Sequence, residues 1–235
     1  MSNLDKLVIS DFSENCFLIS RSNHAKFSET TKFFLYLSEY LRKTINWINV
    51  IPGEQAISVK FNSLEIFADE AKKILEEKIT QFRFFEIEED KPLIDIPVYY
   101  SEEFGLDIKD VAKKYSYSYQ EIANLHSETS YEVKMIGFTP GFAYLGDLSE
   151  KLHMSRLSKP RTNLLPGSVG ISGNRTAVYP LGGPGGWRII GRTPKSLFDP
   201  NKKDPFEIYI GMRIKFESIT KYEYENFSDK KSNEY

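Results

Sequence analysis

The residues best able to do chemistry lie in one short segment, GGPGGWRIIGRTP at positions 182–194. Four glycines and a proline precede Arg188 and Arg192, and a glycine-rich backbone beside guanidinium groups is a combination that can hold an anion. If residues 187–192 form a regular strand, alternation places both guanidinium groups on one face. A β-hairpin whose glycines supply positive φ explains the same glycines, and the segment taken alone favours the hairpin.

Known phosphate-binding and hydrolase motifs are absent from this sequence. No Gly-Lys pair exists for a Walker loop, and Arg188 occupies the third glycine position of a dinucleotide fingerprint. Ser168 has Pro166 two residues before it, so it is not the nucleophile of a Gly-x-Ser-x-Gly elbow. The sequence therefore predicts neither a P-loop enzyme nor a serine hydrolase.

Two further segments carry candidate binding residues. GFTPGFAYLGDL at 137–148 combines glycines with Phe138, Phe142 and Tyr144, and it suits either a ligand or partner surface or a hydrophobic plug at a barrel end. KPRTNLLPGSVG at 159–170 places Arg161 directly after a proline. These loops extend the set of candidate residues beyond the glycine-rich segment.

Histidine and cysteine give no metal site in the sequence. The single Cys16 excludes an intrachain disulfide and a thiolate cluster, and His24, His126 and His153 lack metal-ligand spacing. His126 closes a capped helix, where the helix dipole favours a positive charge.

Composition excludes several classes of function. With a formal charge of -2, the chain lacks the excess of basic residues that binds nucleic acid. No apolar run approaches the roughly 20 residues of a membrane span, and the N-terminus lacks a signal-peptide pattern. We therefore expect a soluble cytoplasmic protein that binds neither nucleic acid nor membrane.

The elements that must position these residues fall into two groups. Residues 1–90 read as two strands, a helix capped at Ser28, two strands, a helix opening at Asp69 and a closing strand at 82–87, which is the order of a split-βαβ, ferredoxin-like domain. Residues 91–220 begin with two short helices, one led by Asp107 and one with a Ser118–Glu121 capping box.

The remainder of the second group is β-rich. Short strands separated by Gly/Pro turns predict a closed or nearly closed barrel, and residues 221–235 read as a frayed polar tail. The predicted class is thus α+β, with a domain boundary between Glu86 and Pro97.

Three stretches carry a resemblance to a known family: EFGLDIKDVA, LHSETSYEVKMIGFTPGFAYLGDL and PRTNLLPGSVGISGNRTAVYPLGGPGGWRIIGRTP, followed by LFDP. In their order and spacing, residues 96–219 resemble the family of Kip inhibitors and 5-oxoprolinase B subunits, also described as allophanate hydrolase subunit 1. Two family features differ: Tyr100-Ser101-Glu102 replaces a paired glycine, and SENCF replaces an N-terminal Gly-Asp-x-Ala signature.

The resemblance implies a cyclophilin-like β-barrel after the N-terminal domain, without prolyl isomerase activity. It implies the B subunit of a bacterial ATP-dependent 5-oxoprolinase, which opens 5-oxo-L-proline to L-glutamate together with the A and C subunits. Phosphorylating the lactam oxygen would make a leaving group, and that step needs cations to absorb charge. ATP is the implied co-substrate, no metal site is expected, and the chain is expected to be inactive alone.

Under that resemblance the candidate residues take separate roles. Catalysis is assigned to His126, Arg188 and Arg192. Substrate or nucleotide binding is assigned to Arg161, Gly141, Phe142, Tyr144, Gly185, Gly186 and Thr193, and a partner interface to Phe138 and Trp187. Two other functions stay open: an inhibitor of a sensor histidine kinase, and one half of a carboxyltransferase whose biotin is carried on another chain.

Overall fold

The computed structural model describes residues 7–21, 27–44, 47–83 and 92–228. The chain divides into two compact units, Met1–Glu89 and Asp90–Tyr235. Half of the predicted boundary segment, residues 86–91, lies outside the described residues, and so does most of the predicted strand at 82–87. His24 also lies outside them.

The described residues of the first unit form a four-stranded antiparallel sheet in the order β1-β2-β4-β3 and two helices. Ile57 and Val59 are fully buried while Ser58 between them is half-buried, which is the predicted alternation. Buried residues of both helices join these strand residues in one core cluster. The elements are β1 Leu7–Ser13, β2 Cys16–Arg21, α1 Phe27–Thr44, β3 Asn49–Pro52, β4 Ala56–Lys60 and α2 Ala68–Gln81.

The helices of the first unit begin slightly earlier than predicted. α1 begins at Phe27, so Ser28 lies inside the helix and not at its N-cap. α2 begins at Ala68 after Phe67, one residue before the predicted Asp69. Asp69 and Glu70 instead occupy the first turn, where negative charge favours the helix dipole.

The second unit, over its described residues 92–228, is built from nine strands and three α-helices, with a 3₁₀ turn at Glu150–Leu152. These are β5 Leu93–Val98, α3 Ile108–Tyr115, α4 Tyr119–Ser127, β6 Ser130–Ile136, β7 Ala143–Gly146, β8 Arg161–Leu164, β9 Ser168–Ser172, β10 Arg175–Tyr179, β11 Gly183–Gly185, β12 Arg188–Arg192, β13 Arg213–Ser218 and α5 Lys221–Glu225.

Seven strands form one sheet in the order β12-β9-β10-β7-β6-β13-β5, and β8 pairs separately with β11. Only the β13–β5 pair is parallel among the pairs described. The sheet curls until its edges meet: Tyr99, just after β5, exchanges two backbone hydrogen bonds of 2.9 and 3.1 Å with Arg192 of β12. The chain is therefore a mixed α/β protein with a curled, barrel-like sheet.

The two predicted helix starts of the second unit differ in detail. Ser118 and Glu121 form the predicted capping box at α4. Asp107 occupies the N-cap position of α3 but makes no side-chain cap bond, because its carboxylate is bound elsewhere.

A β-bulge in β12 separates the two arginines that a regular strand would align. Arg188 pairs with Ile171 and Arg192 with Ser168, three positions apart along β9. Residues three apart on a strand point to opposite faces. The prediction that the two guanidinium groups share a face is wrong, because the bulge adds one residue between them.

The C-terminal segment is partly ordered, which corrects the predicted frayed tail at 221–235. Thr220 and Glu223 form a capping box at the start of α5. The Tyr224 ring packs on Phe104, with centroids 4.9 Å apart. A cap and an aromatic contact hold this turn in place, and residues 229–235 lie outside the described residues.

Candidate functional site

The predicted loops 137–148 and 182–192 meet around a cavity of about 220 Å³, which we call the aromatic pocket. It is lined by Phe138, Phe142, Tyr144, Arg156, Pro160, Tyr179, Pro184, Gly185, Gly186 and Trp187. Six of these ten residues are sequence candidates, and the structure brings them together at one place.

The inner wall of the aromatic pocket is a packed cluster of rings. Phe142 is almost fully buried and meets Tyr144, Tyr179 and Trp187 at centroid distances of 4.9, 5.0 and 5.9 Å. All three contacts are edge-to-face, the arrangement that aromatic quadrupoles favour. Phe142 and Trp187 therefore belong to the chain's own core, which argues against the predicted place of Trp187 at a partner interface.

Phe138 differs from these rings because it stays 59% exposed at the pocket mouth. Its φ is +74°, in the left-handed region that non-glycine residues seldom occupy. The ring nevertheless lies edge-on to Phe142, at 5.3 Å. A strained backbone that holds an exposed ring over a cavity points to a function at that position.

The first glycine pair of GGPGG serves the turn. Gly182 and Gly183 have φ of +67° and +92°, so they supply the positive φ that the hairpin interpretation required.

The second glycine pair serves the pocket. A Cβ at Gly185 would lie 2.5 Å from Leu164 Cδ1 and 2.8 Å from the Tyr179 hydroxyl. A Cβ at Gly186 would meet its nearest atom, of Pro160, at 3.5 Å, an ordinary contact. Gly185 is thus required for close packing, whereas a methyl group at Gly186 would make only ordinary contacts with Pro160 and Arg156.

Arg156 supplies the positive charge at this pocket. In the described part of the chain its guanidinium makes no hydrogen bond or ion pair. Its neighbours fix the backbone: Arg188 Nε donates to the Ser155 carbonyl at 3.3 Å, and Leu157 N–H donates to the Gly186 carbonyl at 2.7 Å. The structure therefore presents a side chain that is free to bind an anion from a segment that is anchored on both sides.

Hydroxyl groups complete the lining. Burial raises the pKa of Tyr144 and of Tyr179, while the charge of Arg156 lowers both to a smaller extent. Both phenols stay protonated at neutral pH, so the Tyr144 hydroxyl can donate a hydrogen bond to a ligand.

Arg161 and Arg188 are bound to carboxylates, in a group we call the Asp107 cluster: Asp107, Asp110, Arg161 and Arg188. Asp107 is 3% exposed and accepts two hydrogen bonds from Arg161, of 2.8 and 3.0 Å. Arg188 Nη1 lies 2.7 Å from Asp110 and 3.4 Å from Asp107. Two negative groups thus balance two positive ones, which favours a structural role over the predicted anion clamp.

Arg192 and two further candidates lie outside the pocket lining. Arg192 Nε donates to the Pro166 carbonyl at 2.8 Å, and its guanidinium lies 5.2 Å from the Phe104 ring centroid. Thr193 is buried and accepts a bond from the Lys195 N–H at 3.1 Å. Gly141 has a φ of +75°, which shapes the turn that carries Phe142. Each holds the loops in place without facing the cavity.

His126 is buried in the core, which argues against its predicted acid/base role. Its Nδ1 lies 2.6 Å from the Tyr100 hydroxyl and its Nε2 lies 2.7 Å from Thr176 Oγ1. The ring is fully buried and stacks on Phe216, and this desolvation lowers its pKa to about 3. A neutral imidazole without solvent access cannot exchange a proton with substrate, and the helix dipole does not keep it charged.

A second, open cleft of about 580 Å³ lies along α4. The only formal charges in its described lining are the carboxylates of Glu121 and Glu128 and the ammonium of Lys151. Hydrogen bonds from Ser118 lower the pKa of Glu121, so this carboxylate is ionised at neutral pH. The described lining of the cleft therefore carries one net negative charge.

Sequence reasoning missed Arg156 and Tyr179 because no motif marks them. Arg156 lies in the loop before PRTNLLPGSVG, and Tyr179 reads as an ordinary strand residue. The sequence did carry a signal for the Asp107 cluster. Asp107 and Asp110 in EFGLDIKDVA are two carboxylates that could pair with arginines elsewhere in the chain, and the structure pairs them with Arg161 and Arg188.

The described residues carry neither a metal cluster nor a membrane helix. Residues 7–21, 27–44, 47–83 and 92–228 include no group of three or more His, Cys, Asp or Glu side chains placed to hold a metal ion. Within the same ranges, no helix has the length and hydropathy of a membrane span.

Relatives of known name match most of the chain. The B subunit of 5-oxoprolinase from Bacillus subtilis (strain 168) is 34% identical over 193 residues, covering 78% of this chain and 80% of that protein. The B subunit of 5-oxoprolinase from Escherichia coli O157:H7 is 39% identical over 184 residues, covering 77% and 82%.

A solved structure shares the fold over a similar extent. The crystal structure of TTHA0988 superposes with a TM-score of 0.73 at 25% identity, covering 87% of this chain and 39% of that one. This chain thus spans about two fifths of the TTHA0988 chain. The family described as carboxyltransferase domain, subdomain C and D, matches residues 7–208. The chain therefore belongs to this carboxyltransferase-domain family, together with the B subunits of 5-oxoprolinase.

Proposed function

We propose that this chain is the B subunit of an ATP-dependent 5-oxoprolinase, which converts 5-oxo-L-proline to L-glutamate. The observation that carries the proposal is identity of 34% and 39% with two proteins of that name, over about four fifths of their lengths. The aromatic pocket, with one unpaired cation in its described lining, supports a role in handling a small anion.

The chain works with partners, the A and C subunits. In its described part we find no metal-ligand group, no nucleophile activated by a base and no phosphate-binding loop. His126 is buried and two of the candidate arginines are held in ion pairs. Reacting groups divided between subunits account for this incompleteness, so we expect no turnover by the isolated chain.

ATP does not suit either of the two cavities described above. The aromatic pocket, at about 220 Å³, is smaller than the ~300–1,000 Å³ of sites for drug-sized ligands. The larger cleft carries two carboxylates against one ammonium. We therefore assign neither nucleotide binding nor any step through ATP to these two cavities.

The finer description of the fold is part of the proposal. In the first unit, β2, α1, β3, β4 and α2 follow the order of a split-βαβ, ferredoxin-like domain up to its last strand, and β1 is an additional strand. The curled sheet of the second unit, closed by the Tyr99–Arg192 pair, supports a cyclophilin-like barrel. Phe138, exposed beside the pocket, is retained as a partner-facing residue, whereas Trp187 is not.

A carboxyltransferase half is the second candidate function, and the family description favours it. In that case the biotin would be carried by a partner chain. We rank it below 5-oxoprolinase because the two relatives that match four fifths of their lengths carry the latter name.

Affinity purification of the tagged full chain from its own cells tests these alternatives. We expect partners whose complex releases ADP and glutamate in the presence of 5-oxo-L-proline, and neither product when this chain is omitted. A biotinylated partner, without 5-oxoproline-dependent ADP release, would support the carboxyltransferase instead. A sensor histidine kinase as the only partner would support the inhibitor function.

A further inference from the structure

We propose that the aromatic pocket binds a small cyclic carboxylate through Arg156 and excludes nucleotides. The inference rests on the proposed function, under which the ligand is 5-oxo-L-proline. It assigns substrate recognition to this chain and identifies Arg156, which the sequence analysis did not select, as the residue that contacts the carboxylate.

The size of the cavity sets the first limit on the ligand. Its volume of about 220 Å³ lies below the ~300–1,000 Å³ that is typical of sites for drug-sized ligands. A single five-membered ring with a carboxylate is of this size, whereas an adenine, a ribose and a triphosphate together are not. The pocket therefore selects a small metabolite.

The charge distribution sets the second limit. Arg156 is the only ionisable cation in the described lining, and it makes no ion pair there. A guanidinium binds a carboxylate through two parallel hydrogen bonds. The nearby Arg188 is neutralised by Asp110 and Asp107, and through its bond to Ser155 it positions the segment that bears Arg156. The pocket thus offers one positive group, which matches one carboxylate.

The remaining lining suits a flat ring with an amide. The Tyr144 hydroxyl makes no hydrogen bond in the described part of the chain, so it can donate to a lactam carbonyl. The rings of Tyr179 and Trp187 form one wall, and Phe138 adds an exposed ring to the lining. A Cβ at Gly186 would lie 3.6 Å from Arg156 Nε, so the glycine lets the guanidinium lie close to the backbone of the pocket.

Tryptophan fluorescence of the full chain tests the proposal directly. The chain has two tryptophans, so Trp47→Phe leaves Trp187 in the pocket as the only reporter. We expect 5-oxo-L-proline to change its emission saturably. Arg156→Met should weaken this binding about tenfold or more, because it removes a charge-assisted hydrogen-bond pair. 2-Pyrrolidone, which lacks the carboxylate, should bind equally weakly to both forms.

Two controls make the outcome decisive. Lys159→Met removes an exposed charge three residues away that does not line the pocket, and it should leave the affinity unchanged. MgATP should neither change the Trp187 emission nor compete. The proposal is overturned if 5-oxo-L-proline does not bind, if Arg156→Met binds it as tightly as the parent, or if ATP competes.

The test separates this inference from the proposed function. If the purified complex hydrolyses 5-oxo-L-proline while the full chain does not bind it, the pocket assignment fails and the 5-oxoprolinase function stands. If the chain binds 5-oxo-L-proline through Arg156 but no complex turns it over, the pocket assignment stands and the 5-oxoprolinase function fails.

Discussion

The Asp107 cluster and the aromatic pocket lie on the same unit and share neighbouring segments, yet their arginines are used in opposite ways. In the Asp107 cluster, Arg161 and Arg188 are bound by carboxylates at 2.7–2.8 Å. In the aromatic pocket, Arg156 has rings, prolines and glycines around it and no carboxylate in the described lining.

The comparison teaches that an arginine can bind a ligand when it has no carboxylate partner of its own. Residue type and proximity to a glycine-rich loop do not decide this. The negative charge of a buried carboxylate such as Asp107 must be balanced by a positive group. The two guanidinium groups that balance it are therefore not free to bind a ligand. Arg188 still serves the pocket indirectly, because it holds the carbonyl of Ser155.

The largest expected effect comes from breaking the Asp107 cluster. Asp107→Asn removes the negative charge that two arginines and the Ile189 N–H share. Losing one partner of a buried ion pair costs ~3 kcal/mol or more. We expect urea denaturation to show a loss of this size in the free energy of unfolding.

Asp110→Asn is the matched control for that variant. Its carboxylate is 58% exposed, and exposed ion pairs contribute at most ~1 kcal/mol. Equal losses in the two variants would show that Asp107 is not the centre of the cluster.

Alanine substitutions at two adjacent glycines compare a steric clash with an ordinary contact. Gly185→Ala places a methyl group 2.5 Å from Leu164 Cδ1, and overpacking of this kind costs ~1–3 kcal/mol. Gly186→Ala makes only ordinary contacts, so stability should change by less than ~0.5 kcal/mol. Gly186→Ala should instead weaken 5-oxo-L-proline binding, because its methyl group would contact the Arg156 guanidinium. Similar melting temperatures for the two variants would contradict the assignment.

His126 predicts how stability depends on pH. Its folded-state pKa of about 3 lies below the ordinary value of 6.5, so the unfolded chain binds the proton first. Neutral His126 contributes fully to the free energy of unfolding above pH 6.5. This contribution is lost as the pH falls towards 3, by up to ~1.4 kcal/mol per pH unit.

Comparison with His126→Gln isolates this dependence. Between pH 6 and 5 the parent chain should lose more free energy of unfolding than the variant, by about the slope above. Parallel pH profiles for the two chains would mean that His126 is not held neutral in the folded state.

The smallest change in stability is expected at Phe138. Phe138→Gly removes an exposed ring but suits the φ of +74°, so the two effects offset and the melting temperature should stay nearly constant. Ligand binding at the pocket should weaken because the ring covers the mouth. Phe138→Ala, which keeps the backbone strain, should be the less stable of the two; the reverse order would contradict the strain.

Local signals in the sequence predicted much of the fold. The Ser118–Glu121 box, the apolar periodicity of α1 and α2 and the alternation in β4 depend on neighbours in sequence, and all three are present in the structure. The bulge in β12 depends on pairing with β9, and nothing within residues 187–192 reveals it.

The sequence predicted which loops meet at the candidate site, but not the roles of individual residues. The glycine and aromatic segments do meet at one pocket, because their composition reports close packing. Whether an arginine is paired depends on Asp107, 54 residues before Arg161 in the chain. Burial of His126 similarly depends on contacts with β10 and β13. Its position at the end of a helix therefore predicted a positive charge, whereas the buried ring is neutral.

Ligand-induced stabilisation of Arg156→Met tests the central claim most directly. At 5-oxo-L-proline equal to 100 times the parent Kd, the parent chain should gain ~2.7 kcal/mol in urea unfolding, and a variant that binds tenfold more weakly should gain ~1.4 kcal/mol. Without ligand the two chains should be equally stable, because Arg156 is exposed and unpaired in the described part of the chain. Equal gains with ligand, or a large loss of stability without it, would contradict the assignment of Arg156 to the ligand and not to the fold.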